Sequence, residues 1–307
     1  MIAGATLVGT IQNLAIFIVS VFFIGAGFAV TEATMSAVLT DEFTGESVRH
    51  LNFSQVAFSV GALFGPILAS ALIRNGIYYQ HLYILWAIIF FALAIVFIFT
   101  KHHNDCLDIQ QKAITIHITG FLRNNVLLFL ALAIFLYVGA ENTIASFTGS
   151  YFQLTLNLPQ YSAIALSLYW GAMIPSRFLA GIVKTNPRKI FLVSAIFAFI
   201  GIVIAMAATD RIVKLVMFAV CGFGCGPIWP LMMDMAAKAN KGSTGAVLNI
   251  MMSFCATGGA LVPVLAGAIA KESSIAATFY LCATVCVVMT IVFFLSVRLK
   301  KLSDVQY

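Results

Sequence analysis

The sequence predicts an all-α polytopic membrane protein, a bundle of about nine spanning helices. Three observations predict it. Of 307 residues, 62% are hydrophobic and 9% charged, with a mean hydropathy of +1.03; soluble domains carry about 25% charged residues. The apolar residues fall into runs long enough to cross a bilayer, which takes about 20 residues. Two carboxylates, Glu32 and Glu141, lie inside such runs. An ionisable group at membrane depth costs roughly 3 kcal/mol or more and marks a functional site by default.

Taken in order, residues 1–11 are apolar but too short to span, and read as the tail of another helix. Spanning segments are expected at 13–40, 51–74, 80–100, 124–148, 160–183, 189–208, 212–236, 244–270 and 275–297. Small residues in the second, Gly61 and Gly65-Pro66, permit close helix approach. Connections are tight at Asp210-Arg211 and at Lys271-Glu272-Ser273-Ser274, so sequential helices are antiparallel neighbours in a bundle. The longest polar stretch, 101–123, divides the chain. The expected organisation is an incomplete N-terminal transmembrane half over 1–100 (the remnant 1–11 plus three helices), a central loop over 101–123 and a six-helix half over 124–307. Three helices against six is the pattern of a transporter built from two six-helix repeats without its first three helices.

Lys and Arg alternate between loops unevenly. Thirteen of the seventeen fall on one side: Arg49, Lys101, Lys112, Arg123, Arg177, Lys184, Arg188, Lys189, Lys238, Lys241, Arg298, Lys300 and Lys301. Arg74, Arg211, Lys214 and Lys271 fall on the other. Basic loops face the cytoplasm, which places the central loop and the C-terminus there, in a plasma (inner) membrane, and the N-terminus outside. The net charge of +6 is spent in these loops and does not point to nucleic acid.

Glu32 shares a helix face with Ser36 at i,i+4. A carboxylate there can bind a proton, a cation or a sugar hydroxyl, or make a packing hydrogen bond; a low-dielectric setting disfavours the charged form, which suits proton exchange. Glu141 shares a face with Tyr137, while Asn142, Ser146 and Gly149 line the adjacent one. Gln55, near the start of its helix, is placed to reach a cavity; Trp170 is deep enough to stack on a sugar ring, and Asn249 is a further cavity candidate. Arg177, near a helix end, is expected to snorkel to the interface in a gating or structural role. Asp234 is expected to pair with a loop cation.

Other chemistries are weakly supported. Cys221/Cys225 and Cys282/Cys286 form i,i+4 pairs without a histidine or a CxxC, and read as small core residues. The histidines, His50, His81, His102, His103 and His117, lie in or beside loops, so no enzyme, metal site or cofactor is expected. Gly222-Phe-Gly224-Cys-Gly226-Pro227 matches part of a dinucleotide fingerprint but lies inside a membrane segment, without the preceding strand that motif requires. It reads as close helix packing with a proline-induced flexible point.

These motifs resemble the major facilitator superfamily, and within it the fucose/galactose/glucose–proton symporter-like family. The run Gly25-Ala-Gly27-Phe-Ala-Val-Thr31-Glu32-Ala-Thr34 looks like the fourth helix of those permeases, and Leu51-Asn52-Phe-Ser-Gln55 with Gly61 to Pro66 like their fifth. Tyr137-Val-Gly139-Ala-Glu141 looks like the seventh, Tyr169-Trp170-Gly171 with Arg177-Phe-Leu-Ala-Gly181 like the eighth, and Gly224 to Pro230 like the tenth. The resemblance implies a major-facilitator-type bundle. It implies that Glu32 contributes to substrate binding with Gln55 nearby. Phe58 stands where fucose-transporting members have a substrate-contacting Asn, which points away from fucose. The family's coupling Asp belongs to a first helix that this sequence does not contain. The stretch Gly181 to Lys189 looks like a degenerate second-half copy of the superfamily's basic loop signature.

The leading expectation is a secondary transporter of a small polar solute, sugar favoured, with the proton as coupling ion and the lipid bilayer as its setting. The alternatives are a truncated, non-transporting fragment of such a permease, a receptor or scaffold on the same fold, or a drug exporter.

Overall fold

The computed structural model describes residues 1–43, 45–100, 121, 123–183, 185–239 and 244–305, with side chains through Arg298. Most of the expected central loop lies outside these residues, with its Lys101, Lys112, His102, His103, His117 and Cys106. Lys184, Lys241 and the side chains of Lys300 and Lys301 lie outside them too.

The described chain is helical and contains no strand. In order it forms α1 (Ile2–Thr10), α2 (Leu14–Glu42), α3 (Ser47–Arg74), α4 (Tyr79–Phe99), α5 (Asn125–Ser150), α6 (Pro159–Ile182), α7 (Pro187–Ala207), α8 (Arg211–Cys225), α9 (Ile228–Ala239), α10 (Thr244–Glu272) and α11 (Ile275–Val305). A π turn, Tyr151–Thr155, extends α5. With α8 and α9 taken as one span, nine described helices are long and apolar enough to cross a membrane, and they lie where the hydropathy places them. Residues 1–11 form the short helix α1, packed on α4.

Polar residues fix where these helices begin. The side chains of Asn13, Asn124, Asn186 and Asp210 accept from the first free N–H groups of α2, α5, α7 and α8. Pro159 and Pro187 occupy first helical positions, where a missing N–H costs nothing. Asn157 takes a left-handed conformation, φ 54°, in the turn between the π segment and α6, and Asn tolerates it better than most residues.

The segment expected as one helix over 212–236 is two, α8 and α9, with Gly226 and Pro227 between them. Proline has no N–H to give the carbonyl four residues back. Pro227 therefore leaves the Phe223 carbonyl without its helical donor, and Pro230 does the same to Gly226. The backbone stays helical at the joint: Gly226 keeps its N–H on the Gly222 carbonyl at 3.1 Å, and Leu231 resumes the ladder on Pro227 at 3.2 Å.

By internal contacts the chain forms two compact units. One comprises Met1–Met35 with the described residues of Leu68–Ile114; the other comprises Ser36–Ile67 with the described residues of Thr115–Tyr307. In the second, α5 is central, packed on α10 and α11, while α8 packs on α6 and α7. Glycine lets these backbones meet. A Cβ on Gly222 would collide with the main-chain carbonyl of Tyr169 on α6, and one on Gly226 with the Ser176 hydroxyl. The motif that superficially suggests a nucleotide loop is thus a helix-packing surface.

Candidate functional site

The second unit contains a buried polar cluster built by four helices. Its centre is Arg177 on α6, 2% exposed. Its Nε donates to the Gly226 carbonyl at 3.0 Å, the same carbonyl that Pro230 leaves without a helical donor. Its Nη1 donates to the Gln55 carbonyl at 2.8 Å and to the Ser59 hydroxyl on α3. Its Nη2 lies 3.9 Å from Glu141 Oε1 on α5. Phe58 covers the guanidinium, with its ring centre 5.9 Å from Cζ. The expectation that Arg177 snorkels is corrected: the side chain is buried, its Nε and Nη1 are bonded inside the protein by the α8–α9 joint and α3, and its Nη2 faces Glu141. Charge-assisted hydrogen bonds of this kind contribute about 1.5–3 kcal/mol each, enough to hold a guanidinium away from water.

Glu141 is 8% exposed and accepts from the Tyr137 hydroxyl at 2.7 Å. That hydroxyl is also 2.8 Å from the Cys225 carbonyl, the last residue of α8. The shared face read from the spacing of Tyr137 and Glu141 is therefore a real contact, and the α8–α9 joint supplies two of the cluster's acceptors. Tyr169, fully buried on α6, has a hydroxyl that finds no hydrogen-bond partner among the described residues.

The α3 side of this cluster follows one ridge at i,i+4 spacing. Ser47 donates to Asp234 on α9. Gln55 and Ser59 receive Arg177, and the Leu63 carbonyl accepts from Ser167 on α6 at 3.0 Å. Asp234, 1% exposed, also holds Lys238 at 2.8 Å, one helical turn along α9. A cavity of about 410 Å³ opens beside this contact, with Glu46, Arg49, Thr185 and Lys238 in its wall.

Trp170, Asn142 and Asn249 make none of the hydrogen bonds just described. Trp170 is half-buried, packed edge-on against Phe58 at 5.7 Å between ring centres, so it adjoins the cluster through an aromatic wall. Asn142 is half-buried and lies over Gly259 on α10. Asn249 is exposed. Glu32 is buried, 8% exposed, in the first unit.

Sequence reasoning missed Ser59, Ser47 and Lys214. Ser47, Gln55 and Ser59 form a repeat visible in the sequence once the spacing of four is applied. Lys214, counted above as a loop cation, is 5% exposed; it donates to the Ala205 carbonyl at 2.8 Å and to the Tyr151 hydroxyl at 3.0 Å. The end of α7 and the π turn close over it, which its position in the sequence does not reveal.

A multi-span helical bundle with ionisable side chains bonded to main-chain carbonyls in its interior defines an integral membrane protein of the transporter-like class. The chain belongs to the Major Facilitator Superfamily, whose profile matches residues 1–239 and 183–305. Among relatives, it is 26% identical over 272 residues to a Helicobacter pylori protein named "Putative glucose/galactose transporter", covering 82% of this chain and 66% of that protein. It is 22% identical over 282 residues to the Bacillus subtilis glucose/mannose transporter GlcP, covering 89% of this chain and 70% of that one. Among solved structures, a variant of the E. coli fucose:proton symporter FucP matches with a TM-score of 0.70 at 18% identity, over 96% of this chain and 82% of that one. The human organic anion transporter MFSD10 matches with a TM-score of 0.72 at 16% identity, over 95% and 74%. These two share the fold. The chain spans 66% of the length of the H. pylori relative.

Proposed function

We propose that this chain serves in proton-coupled transport of a sugar or a similar small polar solute, by alternating access. The observation that carries the reading is the pair Arg177 and Glu141, 2% and 8% exposed, beside the Gly226 carbonyl, freed by Pro230, and the Cys225 carbonyl at the end of α8. Ionisable groups are kept at such depth where they serve a pathway, and irregular backbone in a membrane helix is characteristic of solute sites. The names of the glucose/galactose and glucose/mannose transporter relatives, and of the fucose:proton symporter that shares the fold, favour a hydroxylated solute.

In this reading Glu32, Gln55, Glu141, Asn142, Trp170 and Asn249 serve the solute and proton pathway. Trp170 and Phe58 offer an aromatic face to a sugar ring. Arg177 and Asp234 act as gate contacts, since each joins α3 to helices of the six-helix half. The halves are 1–100 and 124–307, joined by the central loop 101–123 on the cytoplasmic side, with the C-terminus also cytoplasmic.

The test is uptake of radiolabelled glucose and galactose by proteoliposomes containing the full chain, driven by an imposed proton gradient. Accumulation above the external concentration, abolished by a protonophore, is the expected result. Absence of saturable uptake relative to empty liposomes overturns the transport reading; uptake indifferent to the protonophore overturns the coupling.

A further inference from the structure

Phe58 stands between Arg177 and the outside of its cluster. The guanidinium carbon lies over the Phe58 ring, 5.9 Å from its centre, which is a cation–π placement. Arg177 is 2% exposed, whereas Phe58 is 38% exposed. The ring therefore shields the cation with one side and presents apolar surface with the other. Its position is fixed from both ends. Towards the start of α3, the Gln55 carbonyl and the Ser59 hydroxyl receive Arg177. Further along, the Leu63 carbonyl accepts from Ser167, and the Leu63 side chain lies against Gly171. Trp170 meets the ring edge-on at 5.7 Å. What the ring covers is a guanidinium with one nitrogen loosely held: Nη2 stands 3.9 Å from Glu141 Oε1, beyond hydrogen-bond length. Such a group is a ready partner for another carboxylate, because its planar fork matches that anion.

We propose that Phe58 makes this site selective for charge: its ring caps Arg177, so that a neutral sugar packs on the aromatic pair Phe58–Trp170 and a sugar acid is turned away. A carboxylate that leaves water needs an ionic partner to offset the loss of hydration. Arg177 is the partner this cluster offers, and the ring keeps a carboxylate oxygen from reaching it. Glu141, beside the guanidinium, adds like charge. A neutral sugar has no such need, since its C–H face can rest on an aromatic ring. The selectivity comes from a barrier against the wrong solute, not from a contact reserved for the right one. A smaller side chain at position 58 removes the barrier and leaves the bonds of Arg177 to Gly226, Gln55 and Ser59 as they are.

This inference rests on the sugar-transport reading and deepens it, and its test needs binding alone. The probes are D-glucuronate and D-glucuronamide, which share a shape and differ in charge. Binding of each labelled compound to the purified full chain in detergent is measured by equilibrium dialysis. The wild type is expected to bind the amide more tightly than the acid. In Phe58→Ala the acid should gain about tenfold or more relative to the amide, the effect of one charge-assisted hydrogen bond. Phe58→Leu keeps apolar bulk on α3 without the flat ring, and should move the ratio the same way by less. A wild type that binds the acid as tightly as the amide overturns the filter. So does a wild-type ratio in both variants, or a failure of both to bind the acid. A gain shared equally by acid and amide also overturns it, because that is added space and not charge. Accumulation of glucose or galactose in liposomes with an unmoved ratio would sink the filter alone. A ratio that moves as expected in a chain that accumulates neither sugar would sink the transport reading and leave the filter standing.

Discussion

α4 and α5 are both apolar helices of membrane-spanning length, yet the protein uses them in opposite ways. The most apolar window of α4 has a mean hydropathy of 2.9 and is 6% buried, whereas that of the α5 span has 1.9 and is 61% buried. The inversion recurs in some other spans: the windows of α2 and α3 are also 6% buried, while the α8–α9 span, with a hydropathy of 1.8, is 61% buried. It does not hold in all, since the windows of α6 and α7, with hydropathies of 1.2 and 2.8, are both 39% buried. In a soluble protein the more hydrophobic helix is the more buried. In a bilayer the solvent is hydrocarbon, so apolar surface gains little by leaving it, and helices associate through close packing and polar contacts instead. α5 is central because it carries Tyr137, Glu141 and Gly139; α4, among the described residues, packs mainly on the short helix α1, where Gly9 lies against Gln80 and Ile84.

That comparison can be broken at its strongest point. Arg177→Ala removes the donor that Gly226, Gln55 and Ser59 share, and leaves Glu141 without its cation. Breaking a buried charged network of this kind costs about 3–5 kcal/mol. The measurement is the unfolding free energy of the purified protein in detergent, and a loss under about 1 kcal/mol would show the cluster to be incidental. Arg177→Lys should recover little of it, since one ammonium cannot reproduce the fork that reaches α3 and the α8–α9 joint together. A second substitution pair sharpens the comparison. Ile134→Ala, at a fully buried position of α5, should cost about 2–5 kcal/mol by leaving a cavity. Ile88→Ala, at a position of α4 that is 60% exposed, should change stability by no more than about 0.5 kcal/mol. Equal effects in the same unfolding assay would mean that α4 is packed against something as firmly as α5.

Much of this was legible in the sequence, for reasons that can be located. Helix positions follow from hydropathy because the bilayer demands length. Tyr137 and Glu141 meet because i,i+4 spacing is local geometry. The glycines of Gly222-Phe-Gly224-Cys-Gly226 pack helices, as their setting implies. Arg177 and Lys214 were misplaced because depth was inferred from distance to a helix end. In Arg177 the approach of α3 overrides that inference, and in Lys214 the end of α7 and the π turn do. Both burials are tertiary, and hydropathy along one chain does not encode them. The joint at Gly226-Pro227 was visible as a weak point, but what fills it was not: two acceptors become available through Pro230 and the end of α8, and their donors come from α5 and α6.

The Gly226 carbonyl has a genetic consequence. Every amino acid carries that carbonyl, so no codon change at position 226 can delete the group that receives Arg177 Nε. Its availability is written three residues further on from Pro227, at Pro230, where any other residue would restore a competing N–H within the helix. A screen that swaps polar side chains one at a time would pass over this half of the site in silence. Its signature in such a screen is an intolerant proline surrounded by apolar positions, and inherited variation could redesign the visible polar residues while leaving this anchor where it stands.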